Sequence, residues 1–393
     1  MNRFDRPLLA ALREEAAYLI HKNRPVFLAL LLLPTVYSLL FGTVYRQNVI
    51  KQIPLAIYDQ DQSSVSRKYI RLFDDSEKFR ITAYVNSQEE MEQLLRNETA
   101  LAAVAIPPDF AKHIKQGLGT QTALIVNSAN NTFSNTAITM AWEINRTFAA
   151  GTGQQLLEGL NRLPEEAMNL AYPVHVSVRL LHNPLAGFSP FMLSGLAAQG
   201  IQIALLLAAG PILVREKAER RFPANVSTLA IMLGKTIPYW TTAVGAGLLA
   251  LGTQKLVFAM PVRGSWLEIV LLIGVYAFAV LTALQLFSSL SPDPLTAIQI
   301  PMVFIMPGTL YGGLSWPLFA MNRPAELYAS LMPIRYTAEN LRDIMLAGYA
   351  PELWTDIRTM LIGCCVCLFV AWAVFNRKRK YAACRECCSN PPS

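Results

Sequence analysis

The sequence Gly234-Lys235-Thr236 is the stretch that comes nearest to a nucleotide-binding motif. A phosphate-binding loop needs G-x-x-x-x-G-K-[ST] between a strand and a helix, because its backbone N–H groups surround the phosphates and its lysine reaches them. Leu229 stands where the first glycine would be, and the flanking residues are apolar. We therefore expect no nucleotide site in this chain and no ATP hydrolysis by it.

Metal and thiol chemistry have as little support in the sequence. All six cysteines follow residue 363, so the long polar segment before them can contain no disulfide. Cys384, Cys387 and Cys388 resemble half of a metal site without a second half, and we expect reduced thiols there rather than acylated ones. The four histidines share no metal-ligand spacing, and no hydrolase motif is present. The sequence predicts no cofactor, no metal and no enzymatic activity.

The composition indicates that most of the chain lies in lipid. Of its 393 residues, 53% are hydrophobic and 16% are charged, whereas soluble domains contain about a quarter charged residues. The formal net charge of +7 does not indicate nucleic acid, because the cations lie mainly beside apolar runs. Six apolar runs are long enough to be transmembrane helices. They cover about 25–45, 188–214, 229–258, 266–286, 295–319 and 357–375.

Lysine and arginine residues predict the orientation of these six spans. They cluster within 1–24, within 215–221 and at 377–380, and six spans place these three regions on one side. Because loops rich in lysine and arginine stay in the cytoplasm, we expect both termini there, including the tail 376–393. The membrane that the six spans cross is expected to be the cell inner (plasma) membrane. Lys235, near the start of the third span, is then expected to extend its ammonium group to the cytoplasmic interface.

Residues 5–22, within the cytoplasmic segment 1–24, are predicted to form an amphipathic helix. One face is apolar and the opposite face carries Arg13, Glu14, Glu15 and Lys22. Because a span follows directly, we expect this helix to lie in the membrane interface with its apolar face in lipid, rather than to be an ordinary soluble helix. The apolar face consists of Leu8, Leu9, Leu12, Ala16, Leu19 and Ile20.

Residues 46–187 have a mixed, polar sequence that predicts an extracytoplasmic α/β domain. Four strand patterns alternate with helix patterns, and a longer helix follows at about 133–170. Ser87 and Glu90 have the spacing of a capping box at the start of one helix. The predicted fold class is therefore an α-helical membrane protein of six transmembrane helices with this domain inserted. The strands are expected at 53–59, 79–85, 100–106 and 122–128.

Glutamines in the spans are candidates for a substrate path. Gln199 and Gln202 lie three residues apart in the second span, so they share a helix face, and Gln299 lies in the fifth. Buried amides either line such a path or form hydrogen bonds between helices, and the sequence leaves both readings open.

The order of these elements, with several local motifs, resembles ABC-2 type transporter permeases. The subgroup it resembles has a large extracytoplasmic domain between the first two transmembrane helices. The motifs span nearly the whole chain: IPLAIYDQDQSSVSRK (53–68), VAIPPDFAKHIKQG (104–117), LGKTIPYW (233–240) and MPIRYTAENLRDIMLAG (332–348).

The resemblance implies the membrane-spanning permease subunit of an ATP-driven exporter. Its cargo would be amphipathic, drug-like or lipid-like. Its partners would be a separate ABC ATP-binding subunit and a second permease subunit, identical or related, in contact with membrane lipid. The resemblance leaves room for a periplasmic adaptor.

The segment 215–223 joins two spans, so a partner that pushes on it would move both helices. Together with the 5–22 helix, it is expected to dock on the ATPase, with charge pairs that fix the register of the interface. The family often has E-x-E-x-G-T in this segment, and the Gly-Thr is absent here. The candidate coupling residues are Glu216, Glu219, Arg220 and Arg221.

Two other classes of function compete with this interpretation. A membrane receptor or scaffold would sense a ligand or partner through the outer domain, but the tail after Phe375 is too short for a signalling module. An ion-coupled transporter usually needs acidic residues inside the membrane, and none lies well inside the predicted spans. The permease interpretation is therefore preferred.

Overall fold

The structure is a computed structural model that describes residues 4–45, 50–128, 131–159, 163–171, 181–183, 187–219, 221–223 and 226–389. It divides into two compact units. We call Met1–Asn48 with Leu180–Ser393 the helical unit, and Val49–Arg179 the α/β unit.

The helices and strands are numbered in chain order. The helices are α1 (Asp5–Ala17), α2 (Arg24–Val44), α3 (Ser64–Asp74), α4 (Gln88–Arg96), α5 (Phe110–Lys115), α6 (Asn131–Glu158), α7 (Pro164–Ala171), α8 (Phe188–Ala209), α9 (Ile212–Glu219), α10 (Thr228–Phe258), α11 (Trp266–Leu290), α12 (Thr296–Ile305), α13 (Gly308–Tyr311), α14 (Arg323–Ser330), α15 (Pro333–Leu346) and α16 (Leu353–Ser389). The strands are β1 (Ile53–Asp59), β2 (Phe79–Val85), β3 (Ala102–Ile106) and β4 (Ala123–Val126).

The four strands form one mixed sheet in the order β2-β1-β3-β4. Strand β1 is parallel to β2 and β3, and β4 is antiparallel to β3. Successive side chains of a strand point to opposite faces, so Leu55 and Ile57 pack on one face and Ala56 on the other. Helices α3, α5 and α6 cover the first face, and α4 covers the second. The strands predicted from the sequence are confirmed.

Helix ends in the α/β unit differ in detail from the sequence predictions. Ser87 caps α4 by accepting from the Glu90 N–H at 3.1 Å, as predicted. The Glu90 carboxylate does not complete a capping box, because it accepts from the Asn86 N–H instead. The helix predicted at 133–170 is not continuous. Helix α6 ends at Glu158 and α7 begins at Pro164, because proline is tolerated in the first turn of a helix but not inside it.

Four helical segments in the described part of the chain are long and apolar enough to cross a membrane. They correspond to the predicted first, second, fourth and sixth spans. Helix α10 corresponds to the predicted third and has 31 residues. At 1.5 Å per residue it is about 46 Å long. The four segments are Arg24–Val44, Phe188–Glu219, Trp266–Leu290 and Leu353–Tyr381.

The fifth apolar segment, predicted as a span over 295–319, is not one continuous helix in the structure. Helix α12 ends at Ile305, and the four-residue helix α13 begins at Gly308. Pro307 lies between them, and a proline has no N–H to continue the hydrogen-bond ladder. Gly313 then adopts a φ of +74°, which L-residues other than glycine rarely adopt. The chain is therefore bent twice within this apolar segment.

The segment after the second span is helical and not an open loop. Helix α9 continues from α8 after a break at Gly210 and Pro211, and it ends only at Glu219. Arg215 and Glu216 therefore have fixed positions on a helix.

Helix α1 packs one side against α10, and the position of its apolar face in the membrane interface stays a prediction. Ala11 and Leu19 are buried, although Leu9 and Ile20 remain exposed. The close approach to α10 requires Gly234, since a Cβ at this position would lie 2.6 Å from the Leu8 carbonyl oxygen. The glycine that suggested a nucleotide motif therefore serves helix packing.

Candidate coupling site

The helical unit contains a group of buried charges that belong to three separate helices. Lys235, on α10, donates to Glu15 Oε2 of α1 at 2.7 Å and lies 3.1 Å from Glu216 Oε2 of α9. Lys235 is 3% exposed, and both glutamates are 2% exposed. The ammonium group of Lys235 is therefore enclosed between two carboxylates, and its position at the cytoplasmic interface stays a prediction.

Arg215 and Tyr239 complete this group, which we call the charge cluster (Glu15, Arg215, Glu216, Lys235 and Tyr239). Arg215 donates to Glu15 Oε1 and to the Tyr239 hydroxyl, both at 2.9 Å. The Tyr239 hydroxyl donates in turn to Glu15 Oε1 at 2.9 Å. Lys235 and Tyr239 are four residues apart, which places both on the same face of α10.

The charge cluster is electrically balanced. It contains two carboxylates and two cations, and each ion lies beside an ion of opposite charge. Removing a single charge from such a buried group is costly, about 3–5 kcal/mol, because the remaining ion is left without compensation. Helices α1, α9 and α10 are therefore linked in one relative position.

A second group of charges lies at the edge of the charge cluster and is more exposed. Arg221 donates to Glu14 Oε1 at 2.6 Å, and it also pairs with Glu219. Its guanidinium lies 5.6 Å from the centre of the Tyr18 ring, a distance typical of a cation–π contact. Arg220 lies outside the described residues.

The predicted coupling residues thus have different environments. Glu216 is buried and bound within the chain, whereas Glu219 and Arg221 lie at the edge with Glu14. Sequence reasoning did not assign Glu15, Arg215 or Tyr239 to the site. The i, i+4 spacing of Lys235 and Tyr239, within an otherwise apolar segment, is a signal that could have found Tyr239, and no local pattern indicates Glu15 or Arg215.

The helical unit also contains a buried neutral group, which we call the amide cluster (Gln199, Gln202, Tyr276 and the Ile305 carbonyl). Gln199 and Gln202 both donate to the Ile305 carbonyl oxygen, at 3.2 and 2.9 Å. Gln202 also donates to Gln199 Oε1 at 3.2 Å. The Tyr276 hydroxyl donates to Gln202 Oε1 at 2.9 Å.

The amide cluster satisfies the backbone where the fifth apolar segment bends. In an unbroken helix, the Ile305 carbonyl would accept from the N–H four residues later, but the chain leaves the helix at Pro307. A Cβ at position 308 would lie 2.9 Å from both glutamine side chains, so Gly308 allows their approach. Gln299 is exposed on α12 and is not part of this cluster. Within the described residues, no group of acidic, histidine or cysteine side chains could hold a metal ion.

Comparison with known proteins gives the family. A family model described as ABC-2 family transporter protein matches residues 25–373. The chain belongs to this family, which confirms the resemblance seen in the sequence. No solved structure matches it.

The chain is similar to several curated proteins over most of its length. It is 22% identical over 376 residues to the probable multidrug ABC transporter permease YbhR of Escherichia coli K12, with 94% of this chain and 98% of that protein covered. It is 22% identical over 288 residues to the probable multidrug ABC transporter permease YbhS of the same strain, with 70% and 72% covered. It is 22% identical over 374 residues to ABC transporter G family member 20 of Dictyostelium discoideum, with 92% of this chain and 50% of that protein covered.

The family, the names of these relatives and the apolar helices together define a class. The chain is a multi-pass membrane permease of an ABC transporter. It is a transport subunit rather than an enzyme.

Proposed function

We propose that this permease is an exporter that moves an amphipathic, drug- or lipid-like small molecule across the cell inner membrane. ATP would be hydrolysed by a separate ABC ATP-binding subunit, since the sequence has no phosphate-binding loop. A second permease subunit would complete the membrane part, in contact with lipid, and a periplasmic adaptor is a further proposed partner. The word multidrug in the names of two relatives supports the proposed cargo class.

The proposed topology has six membrane crossings. The four apolar segments supply four of them, α10 supplies the third in chain order, and the bent segment from α12 to α13 supplies the fifth. Backbone outside a helix is tolerated at membrane depth where protein groups satisfy it, as the amide cluster does for the Ile305 carbonyl. The cation pattern supports cytoplasmic termini and an external position for residues 46–187.

The charge cluster is the observation that carries the proposal for coupling. It links α1 to α9, which contains the first residues of the segment 215–223, and to α10, which follows that segment. A force applied to α1 or to α9 is therefore transmitted to α10. In this proposal, Glu219 and Arg221 at the edge of the charge cluster pair with charges on the ATP-binding subunit, as does Arg220. Glu216 acts from inside, by fixing α9 to α10.

The proposed substrate path runs beside Gln199, Gln202 and Gln299. The two buried amides have a structural role in the amide cluster, and they would reach cargo only where the bent segment moves. Gln299 is exposed on an apolar helix and is free to offer its amide to a polar group of the cargo.

Transport into inside-out membrane vesicles tests the proposal. Vesicles containing the chain and its ATP-binding subunit should accumulate ethidium when ATP is added. This ATP-dependent accumulation of ethidium should disappear when the phosphate-binding lysine of the ATP-binding subunit is replaced. ATP-dependent uptake that persists with that inactive partner would contradict the assignment of hydrolysis to a separate subunit.

Cysteine labelling tests the topology independently. A cysteine in place of Thr120 should react with a membrane-impermeant maleimide in intact spheroplasts. Labelling that appears only after permeabilisation would contradict the external position of residues 46–187.

A further inference from the structure

We propose that Arg379 is a positioning residue that holds residues 221–223 and 226–228 against the last helix, so that α16 moves together with the coupling site. This inference rests on the proposed function. It concerns the part of α16 beyond the predicted end of the sixth span at residue 375. Sequence reasoning assigned the cations of this part only to membrane orientation.

The guanidinium of Arg379 binds four acceptors, three carbonyls between α9 and α10 and the hydroxyl of the first residue of α10. One nitrogen, Nη1, donates to Thr228 Oγ1 at 2.9 Å and to the Val226 carbonyl at 3.3 Å. The other, Nη2, donates to the carbonyls of Pro223 at 2.7 Å and Phe222 at 3.2 Å. A planar guanidinium with its donors in a fixed fork suits this arrangement, and an ammonium does not reproduce it.

Neighbouring residues of α16 extend the same attachment. The Thr228 hydroxyl donates to Asn376 Oδ1 at 2.9 Å, so this threonine contacts α16 twice. Lys378 donates to the carbonyls of Ser289 and Leu290, at 2.6 and 3.3 Å. Ser289 and Leu290 are the last two residues of α11, and a cation there compensates the negative end of the helix dipole.

The attached segment is also bound to the charge cluster. The Phe222 N–H donates to Glu216 Oε1 at 3.3 Å, while the Phe222 carbonyl accepts from Arg379. Phe222 is therefore held on one side by Glu216 and on the other by the last helix. A displacement of α9 reaches α16 through this residue without passing through the core of the helical unit.

Arg377 provides a matched control, because it has the same charge and lies two residues away. It is exposed on α16, and it does not join the attachment made by Arg379. Since positive-inside orientation depends on the number of cations, Arg377→Ala and Arg379→Ala should have the same effect on membrane insertion. They should differ only in the attachment of the segment.

The test uses the full-length chain with its ATP-binding subunit in lipid nanodiscs. The readout is the rate of ATP hydrolysis by the complex divided by the rate of the isolated ATP-binding subunit. This ratio requires no knowledge of the cargo. We expect Arg379→Ala to change this hydrolysis ratio at least about threefold and Arg377→Ala to leave the ratio unchanged. The ratio for Arg379→Lys should lie between those of Arg379→Ala and the parental chain.

Thermal unfolding of the same samples separates positioning from folding. If Arg379→Ala lowers the Tm too far for assay, Thr228→Val removes one acceptor without changing charge and should change the ratio in the same direction. Equal ratios for Arg379→Ala, Thr228→Val and Arg377→Ala would overturn the inference. Absence of ethidium uptake by the parental complex would instead count against the proposed cargo, and the hydrolysis ratio would still decide the role of Arg379.

Discussion

The charge cluster and the amide cluster are both buried in the helical unit, but they join different kinds of elements. The charge cluster binds α1, which precedes the first span, to α9 and α10. The amide cluster binds α8 and α11 to the broken end of α12. Ionised groups occur where an element outside the spans is attached, and neutral amides occur where only apolar helices meet.

The physical reason is the cost of burying charge. An ion in an apolar interior must have a partner of opposite charge, so a charge cluster is stable only as a balanced set. An amide needs only a hydrogen-bond partner, and it can satisfy a backbone carbonyl that a bend has left free. We therefore expect the charge cluster to be sensitive to single substitutions and the amide cluster to be tolerant.

The largest effect is expected for Lys235→Met. This substitution leaves Glu15 and Glu216 with Arg215 as the single cation, so the cluster carries an uncompensated negative charge. We expect a loss of about 3–5 kcal/mol of stability, measured as thermal unfolding of the purified protein. Lys217→Met, at an exposed position on α9, is the control and should have little effect.

The double substitution Lys235→Met with Glu216→Gln sharpens the same comparison. It leaves Glu15 paired with Arg215 at 2.9 Å, so the cluster is again balanced, and the new amide can still accept from the Phe222 N–H. We expect the double variant to be more stable than Lys235→Met alone. A double variant less stable than Lys235→Met would show that packing, and not charge balance, determines the stability of the site.

A smaller effect is expected for Gln202→Leu in the amide cluster. Gln199 still donates to the Ile305 carbonyl, and hydrogen bonds between membrane helices contribute only about 0.6 kcal/mol on average. We expect a loss of about 1–2 kcal/mol in the same unfolding measurement. A loss as large as that of Lys235→Met would remove the distinction between the two clusters.

Tyr276→Phe should have a smaller effect again. The substitution removes one hydroxyl, which donates to Gln202 and to the Ala198 carbonyl, and leaves the ring in place. We expect a loss of about 0.5–1 kcal/mol of stability, measured by thermal unfolding. Tyr381→Phe, on an exposed tyrosine, is the control and should be neutral.

Gln299→Ala should leave stability unchanged, because the side chain is exposed and joins neither cluster. If Gln299 lines the substrate path, ethidium uptake into vesicles should fall with no change in Tm. Unchanged uptake would remove Gln299 from the proposed path.

Local patterns in the sequence predicted the sheet well and the sites poorly. The strands β1 and β2 begin and end where alternation and turn residues indicated, because these features depend on neighbouring residues. The charge cluster joins Glu15 to residues 200 and more positions away, and no local pattern reports such a contact. An amphipathic helix before a span indicated lipid, and the sequence did not show that α1 also packs against α10 through Ala11 and Glu15.

The prolines of the fifth apolar segment implied bends, but the sequence did not show which proline ends a helix. Pro307 is visible in the sequence, but prolines are tolerated inside membrane helices, as Pro34 is in α2. Whether a proline breaks a helix depends on whether another group donates a hydrogen bond to the backbone carbonyl that the proline leaves free. Here that group is the pair Gln199 and Gln202, about 100 residues earlier in the chain.

Site-specific photo-crosslinking tests the central claim, that force from an ATP-binding subunit enters through α9. A benzophenone amino acid would replace the exposed Lys217 on α9, and in a second variant Leu327 on α14, which is also exposed. Irradiation of membranes should join the ATP-binding subunit to the variant at position 217 and not to that at position 327. An adduct at position 327 with none at position 217 would contradict the account.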